Sequence, residues 1–235
     1  MDILKESGII FGKSGAIGSS IFERAASEGM DVWGCSSSLS SDAENKIISS
    51  NDLLSGCLAN LNLPSKFKFI CFAQGINLND SIIDFDSEKF DQTIEANCKF
   101  VLLAINRLIN LDLLETNASI CILSSIWQDL ARSNKLSYSI SKSALKGLVL
   151  SLVADLAPLG YRVNAVLPGP IDNEMTRTNL SPSQLAFFEN SSPSGRLATT
   201  KEVVNAVIWL LSENSAGISG NFIKVHQGFG DVITL

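Results

Sequence analysis

The sequence predicts an α/β fold of three layers, a doubly wound and mostly parallel seven-stranded sheet with helices on both faces. Three observations carry this. Short apolar runs alternate with segments of helical apolar spacing from one end of the chain to the other. The first apolar run ends in a glycine-rich turn that leads directly into a helix. No linker or internal repeat interrupts the alternation, and 235 residues fit one domain over 1–235 with little room for a second core.

Taken in order, Gly8 to Phe11 is a strand preceded by a lysine-bearing turn, MDILKES, which lacks the basic leader, long apolar run and cleavage site of a secretory signal. Ile17 to Glu28 has helical spacing and Gly29 closes it. Val32 to Cys35 is the second strand, and the serines from Ser36 to Ser41 form a loop or cap. Ile47 and Ile48 suggest a brief strand, followed by a short helix from Asp52 to Leu61 capped by Asp52 or Asn51. Lys68 to Ala73 is apolar enough to be buried on both faces. Asp86 to Leu114 reads as a short helix and then a long one, Ser119 to Ser124 as a strand, and Ser139 to Leu156 as a long helix. Arg162 to Leu167 is a strand ended by Pro168, Lys201 to Leu211 a helix, and Phe222 to Val225 the last strand. Residues 172–194 have weak periodicity and read as a substrate loop or lid over the carboxyl ends of the strands.

Composition excludes several classes of function. The formal charge of -6 offers no footprint for a nucleic-acid backbone. A single histidine leaves no His-rich zinc site, and no metal is expected. Cys35, Cys57, Cys71, Cys98 and Cys121 are isolated, without a CxxC pair, and suit a reducing compartment. No apolar run approaches the roughly 20 residues that cross a bilayer, so a cytoplasmic location away from membranes is the expectation.

The turn after the first strand reads Gly12, Lys13, Ser14, Gly15, Ala16, Ile17, Gly18. Glycine here lets the backbone turn tightly and approach a pyrophosphate at the helix N-terminus, although any tight turn can use glycine. Gly18 would allow close packing of helix on strand. A carboxylate at the end of the second strand would hydrogen-bond the adenosine ribose and repel a 2′-phosphate. This chain has Ser36, Ser37 and Ser38 there, with Lys13 nearby, which favours NADP(H) over NAD(H).

Ser124 and Ser125 end the Ser119 to Ser124 strand, and Tyr138 and Lys142 stand four positions apart on one face of the next helix. A lysine ammonium beside a phenol favours the phenolate and lowers its pKa, making tyrosine a usable acid and base. Ser125 is placed to donate a hydrogen bond to an oxygen that gains charge during hydride attack. Taken singly, the pair is also an ordinary helix-surface contact and the serine an ordinary cap.

With these residues in hand, the chain resembles the short-chain dehydrogenase/reductase family over nearly its whole length. Gly12, Gly15 or Ala16, and Gly18 stand at the family's glycine motif, with Phe11 in place of its threonine. Ala73, Gln74 and Gly75 stand at its Asn-Ala-Gly motif, whose asparagine is absent here. Ser125, Tyr138 and Lys142 match the catalytic Ser, Tyr and Lys in order and spacing, with thirteen positions from serine to tyrosine. The resemblance implies a Rossmann fold and a cofactor held also by Ala73, Gly75, Tyr138 and Lys142. It implies a nicotinamide passed by Pro168, Gly169, Pro170 and Ile171, with Asn173 where a threonine is usual. Asn97 is similar to the family's fourth catalytic member, whose backbone carbonyl holds a water beside the lysine. Val225, His226, Gln227 and Gly228 resemble its C-terminal Val-Asp-Gly-Gly, with His226 read as packing or interface. The resemblance also implies a homotetramer or homodimer through the helices at Asn97 to Leu114 and Ser139 to Leu156, and a shortened adenine wall between Ser38 and Lys68.

A substrate pocket is expected from Trp127 and Gln128 after the serine, Ala131 to Lys135 with Arg132 before the tyrosine, and Met175 to Phe188 with Arg177. The expected reaction is hydride transfer between NADP(H) and a small-molecule carbonyl or secondary alcohol. A non-redox epimerase or dehydratase on the same fold, and a catalytically silent cofactor-binding protein, are the alternatives.

Overall fold

The computed structural model describes residues 6–232, the side chain of Met175 excepted; most of the turn expected before the first strand lies outside the described residues. Seven parallel strands form one sheet: β1 (Ser7–Phe11), β2 (Asp31–Ser36), β3 (Ile47–Ser49), β4 (Phe67–Phe72), β5 (Leu114–Leu123), β6 (Arg162–Pro168) and, after two short strands described below, β9 (Phe222–Val225). Their order is β3-β2-β1-β4-β5-β6-β9. From β1 the chain builds outward to β3, then crosses to β4 on the other side. The crevice between the carboxyl ends of β1 and β4 is therefore the switch point where such sheets bind ligands.

Both faces of the sheet are covered, which explains the continuous apolar runs. Ile9, Phe11, Ile70, Phe72, Ile120 and Ile122 pack beneath α4 (Phe100–Asn110) and α5 (Leu136–Leu156), which contribute Val101, Leu108, Leu145 and Val149. The alternate residues Ile10, Phe69, Cys71, Cys121, Leu123 and Val166 pack against Ile21 and Ala25 of α1 (Ala16–Ser27) and Val203 and Val207 of α8 (Thr200–Leu211). The period of two along each strand sorts its side chains between these layers.

Several element boundaries differ from the sequence expectation. The helix after β3, α2 (Ser50–Ser55), is shorter; Ser49 caps it by accepting from the Asn51 amide, and Gly56, at φ 82°, stops it. The long helical stretch divides into α3 (Ser87–Ile94), a single π turn over Glu95–Lys99 centred on Asn97, and α4, which stops at Asn110. Asp112, at φ 54°, reverses the chain so that Leu114 already belongs to β5. Helix α5 begins at Leu136, before the expected Ser139, because the Asp80 carboxylate accepts from the Ser137 amide at 3.0 Å. Residues 172–194 are not a bare loop. They hold α6 (Glu174–Asn179) and α7 (Pro182–Asn190), and their base is tied by β7 (Ile171–Asp172) pairing with β8 (Ala198–Thr199).

Candidate active site

The carboxyl ends of β4, β5 and β6, the start of α5 and the α6–α7 segment enclose a cavity of about 790 Å³. At its nucleotide end the backbone sets the shape. Gly12 adopts φ +77°, and a Cβ there would stand 2.6 Å from the Gln74 amide nitrogen. A Cβ on Gly18 would stand 2.1 Å from the Gly12 carbonyl oxygen, so α1 lies against the turn only because that side chain is absent. Gly15 provides the N-cap of α1, and Ile17, Ala73, Gln74 and Gly75 line the cavity. Among the described residues, both polar atoms of the Gln74 carboxamide are buried without a partner, an arrangement that leaves hydrogen bonds to be made by a ligand.

Beyond the enclosed cavity, the Ser36 hydroxyl donates to Ser14 Oγ at 3.1 Å and lies 3.0 Å from Ser38 Oγ, joining the glycine turn to the end of β2. Ser36 is buried and Ser37 exposed. Lys13, expected beside these serines, donates its amide to the Cys35 carbonyl at 3.3 Å and lays its stem over Gly34, where a Cβ would come within 2.6 Å of it. Its ammonium stands 5.0 Å from the centroid of the Phe22 ring.

The chemical end is made of the buried Ser125 and Lys142 side chains and the half-buried Tyr138. Ser125 sits in extended backbone just after β5, caps the short helical turn Ile126–Gln128, and accepts only a long 3.4 Å bond from the Trp127 amide. Its hydroxyl hydrogen is thus not taken by the cap. Tyr138 follows on the first turn of α5, and Lys142 one turn later; the lysine Nζ lies 5.6 Å from the centroid of the tyrosine ring and donates to the Leu123 carbonyl at 3.0 Å. A Cβ on Gly75 would lie 3.6 Å from that Nζ, which places the β4 end, Lys142 and Asn97 in one cluster. The Asn97 carboxamide accepts from the Ile76 amide at 2.7 Å and donates to the Ile76 carbonyl at 2.9 Å and to Ser141 Oγ at 2.8 Å. Ser141 in turn donates to the Tyr138 carbonyl. It was not singled out from sequence, and its place one residue before Lys142 was the available signal.

Burial governs the protonation of this end. It pushes the Tyr138 phenol above its ordinary value, with the neighbouring Ser125 hydroxyl opposing the rise. Burial likewise pulls Lys142 down to about 8. The expected lowering of the tyrosine is therefore corrected: desolvation of the phenolate raises it, and Ser125, not the lysine charge, supplies the opposing contribution.

Pro168, Gly169, Ile171 and Asn173 line the cavity across from Tyr138. Gly169 is required where it stands, because a Cβ would meet the His226 Cβ at 2.7 Å; His226 thus packs under the Pro-Gly segment. Asn173 uses its side-chain oxygen to cap α6, accepting from the Thr176 amide at 2.8 Å.

On the substrate side, Trp127 and Arg132 line the cavity, and the Arg132 guanidinium stands 5.5 Å from the centroid of Phe188. Two expected pocket residues are placed elsewhere. Gln128 is buried and turned inward, accepting from Ser124 Oγ at 2.9 Å, because the helical turn after Ser125 rotates it away from the cavity. Arg177 is exposed and held by both oxygens of Asp172 at 2.6 and 2.9 Å. Asn77, Asp80 and Lys135 also line the cavity; only Lys135 lay within the expected wall.

The glycine cradle at Gly12 and Gly18, the unpartnered Gln74 carboxamide and the close passage at Gly169 fit a dinucleotide lying from β2 across β4 to β6. Among the described residues no cluster of three or more His, Cys, Asp and Glu side chains suits a metal ion, and no helix is long and apolar enough to cross a membrane.

Comparison with known proteins agrees with this geometry. The family model described as Enoyl-(Acyl carrier protein) reductase matches residues 65–230. The chain is 27% identical to the 3-oxoacyl-[acyl-carrier-protein] reductase FabG of Escherichia coli, over 94% of this chain and 95% of that protein. It is 26% identical to the uncharacterized oxidoreductase YmfI of Bacillus subtilis, over 96% of this chain and 99% of that protein. Among solved structures, a short chain dehydrogenase family protein from Francisella tularensis superposes with a TM-score of 0.84 at 25% identity, covering 97% of this chain and 100% of that one. A Rossmann-type sheet with its crevice at the β1/β4 switch point and a family match over well over half of the sequence lead to one conclusion: the chain belongs to the short-chain dehydrogenase/reductase family of oxidoreductases.

Proposed function

We propose that this chain is an NADP(H)-dependent carbonyl reductase or secondary-alcohol dehydrogenase in which Ser125, Tyr138 and Lys142 carry the chemistry. The observation that carries the reading is the convergence of these three side chains on one cavity that also reaches Gly75 and the Pro168–Gly169 segment. Bound nicotinamide would supply or accept the hydride. Gly12, Ser14, Gly15, Ile17, Gly18, Gln74, Ala73 and Gly75 would hold the dinucleotide on the turn side, and Pro168, Gly169, Ile171 and Asn173 on the nicotinamide side. Ser36, Ser37 and Lys13 would meet the adenosine end, and the lack of a carboxylate there favours the 2′-phosphate.

The protein's own groups then do the following. Ser125, beside the Tyr138 phenol, donates its hydroxyl hydrogen to the substrate oxygen, stabilising the charge that builds there. Tyr138, kept protonated by burial, gives that oxygen a proton in reduction and takes it back in oxidation. Lys142, with its pKa near 8, remains mostly charged at neutral pH and can return a proton to the phenolate. Asn97 holds the β4 end against α5 through Ile76 and Ser141. Its backbone carbonyl, in the π turn, would hold a water beside Lys142. Exposed Leu102 and Leu103 on α4 and Ile140 and Leu150 on α5 support pairing of copies through these helices as a dimer or tetramer.

The test is a fluorescence titration with NADPH and NADH, followed by a carbonyl screen with the preferred cofactor. Oxoacyl thioesters, named for the Escherichia coli relative, belong in that screen. Tight NADPH binding and ketone-dependent NADPH oxidation lost by 10²- to 10⁴-fold, about the worth of a general acid, in Tyr138→Phe are expected. Turnover of a candidate substrate with no net change in nicotinamide absorbance would favour an epimerase or dehydratase. Unchanged activity in Tyr138→Phe would remove the tyrosine from the mechanism.

A further inference from the structure

Tyr138 is flanked by two lysines, and the proposed mechanism uses only one. Lys135 Nζ lies 5.5 Å from the centroid of the Tyr138 ring, almost the same separation as Lys142 Nζ at 5.6 Å, but it lines the substrate side of the cavity. Lys135 is 6% exposed. A lysine that deep is ordinarily neutralised by a carboxylate. Here its hydrogen-bond acceptors are neutral, Asn77 Oδ1 at 2.5 Å and the Leu78 carbonyl at 3.4 Å.

The nearby carboxylates are engaged elsewhere. Asp80 accepts from the Ser137 amide at 3.0 Å with one oxygen and contacts the Ser137 hydroxyl with the other. Asp84, at the rim, accepts from the Ser81 amide at 2.7 Å and from its hydroxyl. Arg132 lines the same cavity and, among the described residues, makes no hydrogen bond or ion pair. Its charge and the burial of Lys135 together pull the lysine down to about 8, with burial the larger cause and Asp80 opposing both. Lys135 and Arg132 thus share one wall while the Asp80 carboxylate near Lys135 is taken up by Ser137, an electrostatic arrangement that an arriving oxyanion would relieve.

Building on the reductase reading, we propose that Lys135 and Arg132 form an oxyanion-recognition site on the substrate side of Tyr138, so that the substrate is a ketone carrying a carboxylate or phosphate within a few bonds of its carbonyl. Arg132 supplies a planar fork for two oxygens, and Lys135 a point charge beside the reacting end. Phe188, under the guanidinium, keeps it directed at the cavity.

Binding tests this separately from turnover. Calorimetric titration of the full chain would use acetoacetate and its neutral methyl ester as one pair, and dihydroxyacetone phosphate and dihydroxyacetone as another. At least one anionic probe is expected to bind tenfold or more tightly than its neutral partner, and the preferred pair distinguishes carboxylate from phosphate. Arg132→Gln and Lys135→Met should each abolish that preference, Lys135→Arg should retain most of it, and the neutral partner's affinity should change less than twofold. Among the described residues Arg132 has no hydrogen bond to lose, so its variant keeps the test valid if Lys135→Met loosens the segment around Asn77. Equal affinity within both pairs, absence of binding by both anions, or an unchanged preference in Arg132→Gln would overturn the site. Binding that follows the charge while Tyr138→Phe still reduces ketones would sink the catalytic reading and leave the anion site standing.

Discussion

The nucleotide end and the chemical end of this cavity are built from different materials. At the nucleotide end the backbone sets the fit: added Cβ atoms would stand 2.6 Å from the Gln74 nitrogen at Gly12 and 2.1 Å from the Gly12 oxygen at Gly18. At the chemical end the fit lies in side chains, the half-buried Tyr138 and the buried Lys142, whose protonation is shifted by desolvation, Tyr138 upward and Lys142 downward. The first end tolerates no extra atom but fixes little chemistry. The second tolerates changes of shape but depends on charge. They meet at Gly75, where a Cβ would lie 3.1 Å from Asn97 Oδ1 and 3.6 Å from Lys142 Nζ.

Lys142→Met breaks the charged end most directly. Turnover should fall by 10²- to 10⁴-fold with NADPH affinity reduced far less. Stability should move the opposite way. The folded pKa of Lys142 is about 8 against an ordinary 10.5, so between those values the unfolded chain holds a proton that the folded chain has released, and stability rises with pH across that window. Below about pH 8 both states are protonated and the whole burial penalty, on the order of 3 kcal/mol, opposes folding. The variant removes that penalty and leaves the Leu123 carbonyl without its donor, a loss of about 1 kcal/mol. Thermal melts should therefore show Lys142→Met more stable than the parent at pH 7, with the gap narrowing toward pH 10. A variant less stable at both pH values would mean that the ammonium is not penalised by its burial.

Gly18→Ala attacks the other end. Its methyl group must displace the Gly12 carbonyl, which costs about 1–3 kcal/mol as overpacking does and spreads the turn. NADPH affinity is expected to drop tenfold or more, while turnover at saturating cofactor changes little. An unchanged titration would show that the turn does not hold the pyrophosphate. Ser37→Asp is a milder change to the same end, adding a carboxylate on an exposed residue after β2. Repulsion of a 2′-phosphate should weaken NADPH roughly tenfold, equivalent to about 1.4 kcal/mol, with NADH affected less. Equal weakening of both would place the 2′-phosphate away from this serine.

The same division explains what the sequence made legible. Gly12, Gly18, Ser125, Tyr138 and Lys142 are legible as candidates because their spacing survives in one dimension, a turn between strand and helix and a pair on one helical face. Lys135 was less legible because its environment depends on Asn77, 58 positions away, folding back onto the first turn of α5. The direction of the Tyr138 shift is not legible in sequence, because a neighbouring charge shows there and the depth of burial does not. Gln128 was misplaced because a single helical turn after Ser125 decides whether it faces the cavity or Ser124.

The two arginines expected in the pocket sharpen the point about side-chain charge. Arg132 lines the cavity, whereas Arg177 lies on the surface with both Asp172 oxygens accepting from its guanidinium. Arg177 is 54% and Asp172 37% exposed, so water screens the pair and its removal exposes no buried charge. Arg177→Ala should leave KM and kcat within twofold of the parent for any substrate the enzyme accepts, and the melting temperature nearly unchanged. A KM rise of tenfold or more would mean that α6 swings inward when substrate binds and brings Arg177 to the cavity. In that event the boundary between the two arginines would describe only the unliganded protein, because one of the exposed charges would belong to the chemical end after all.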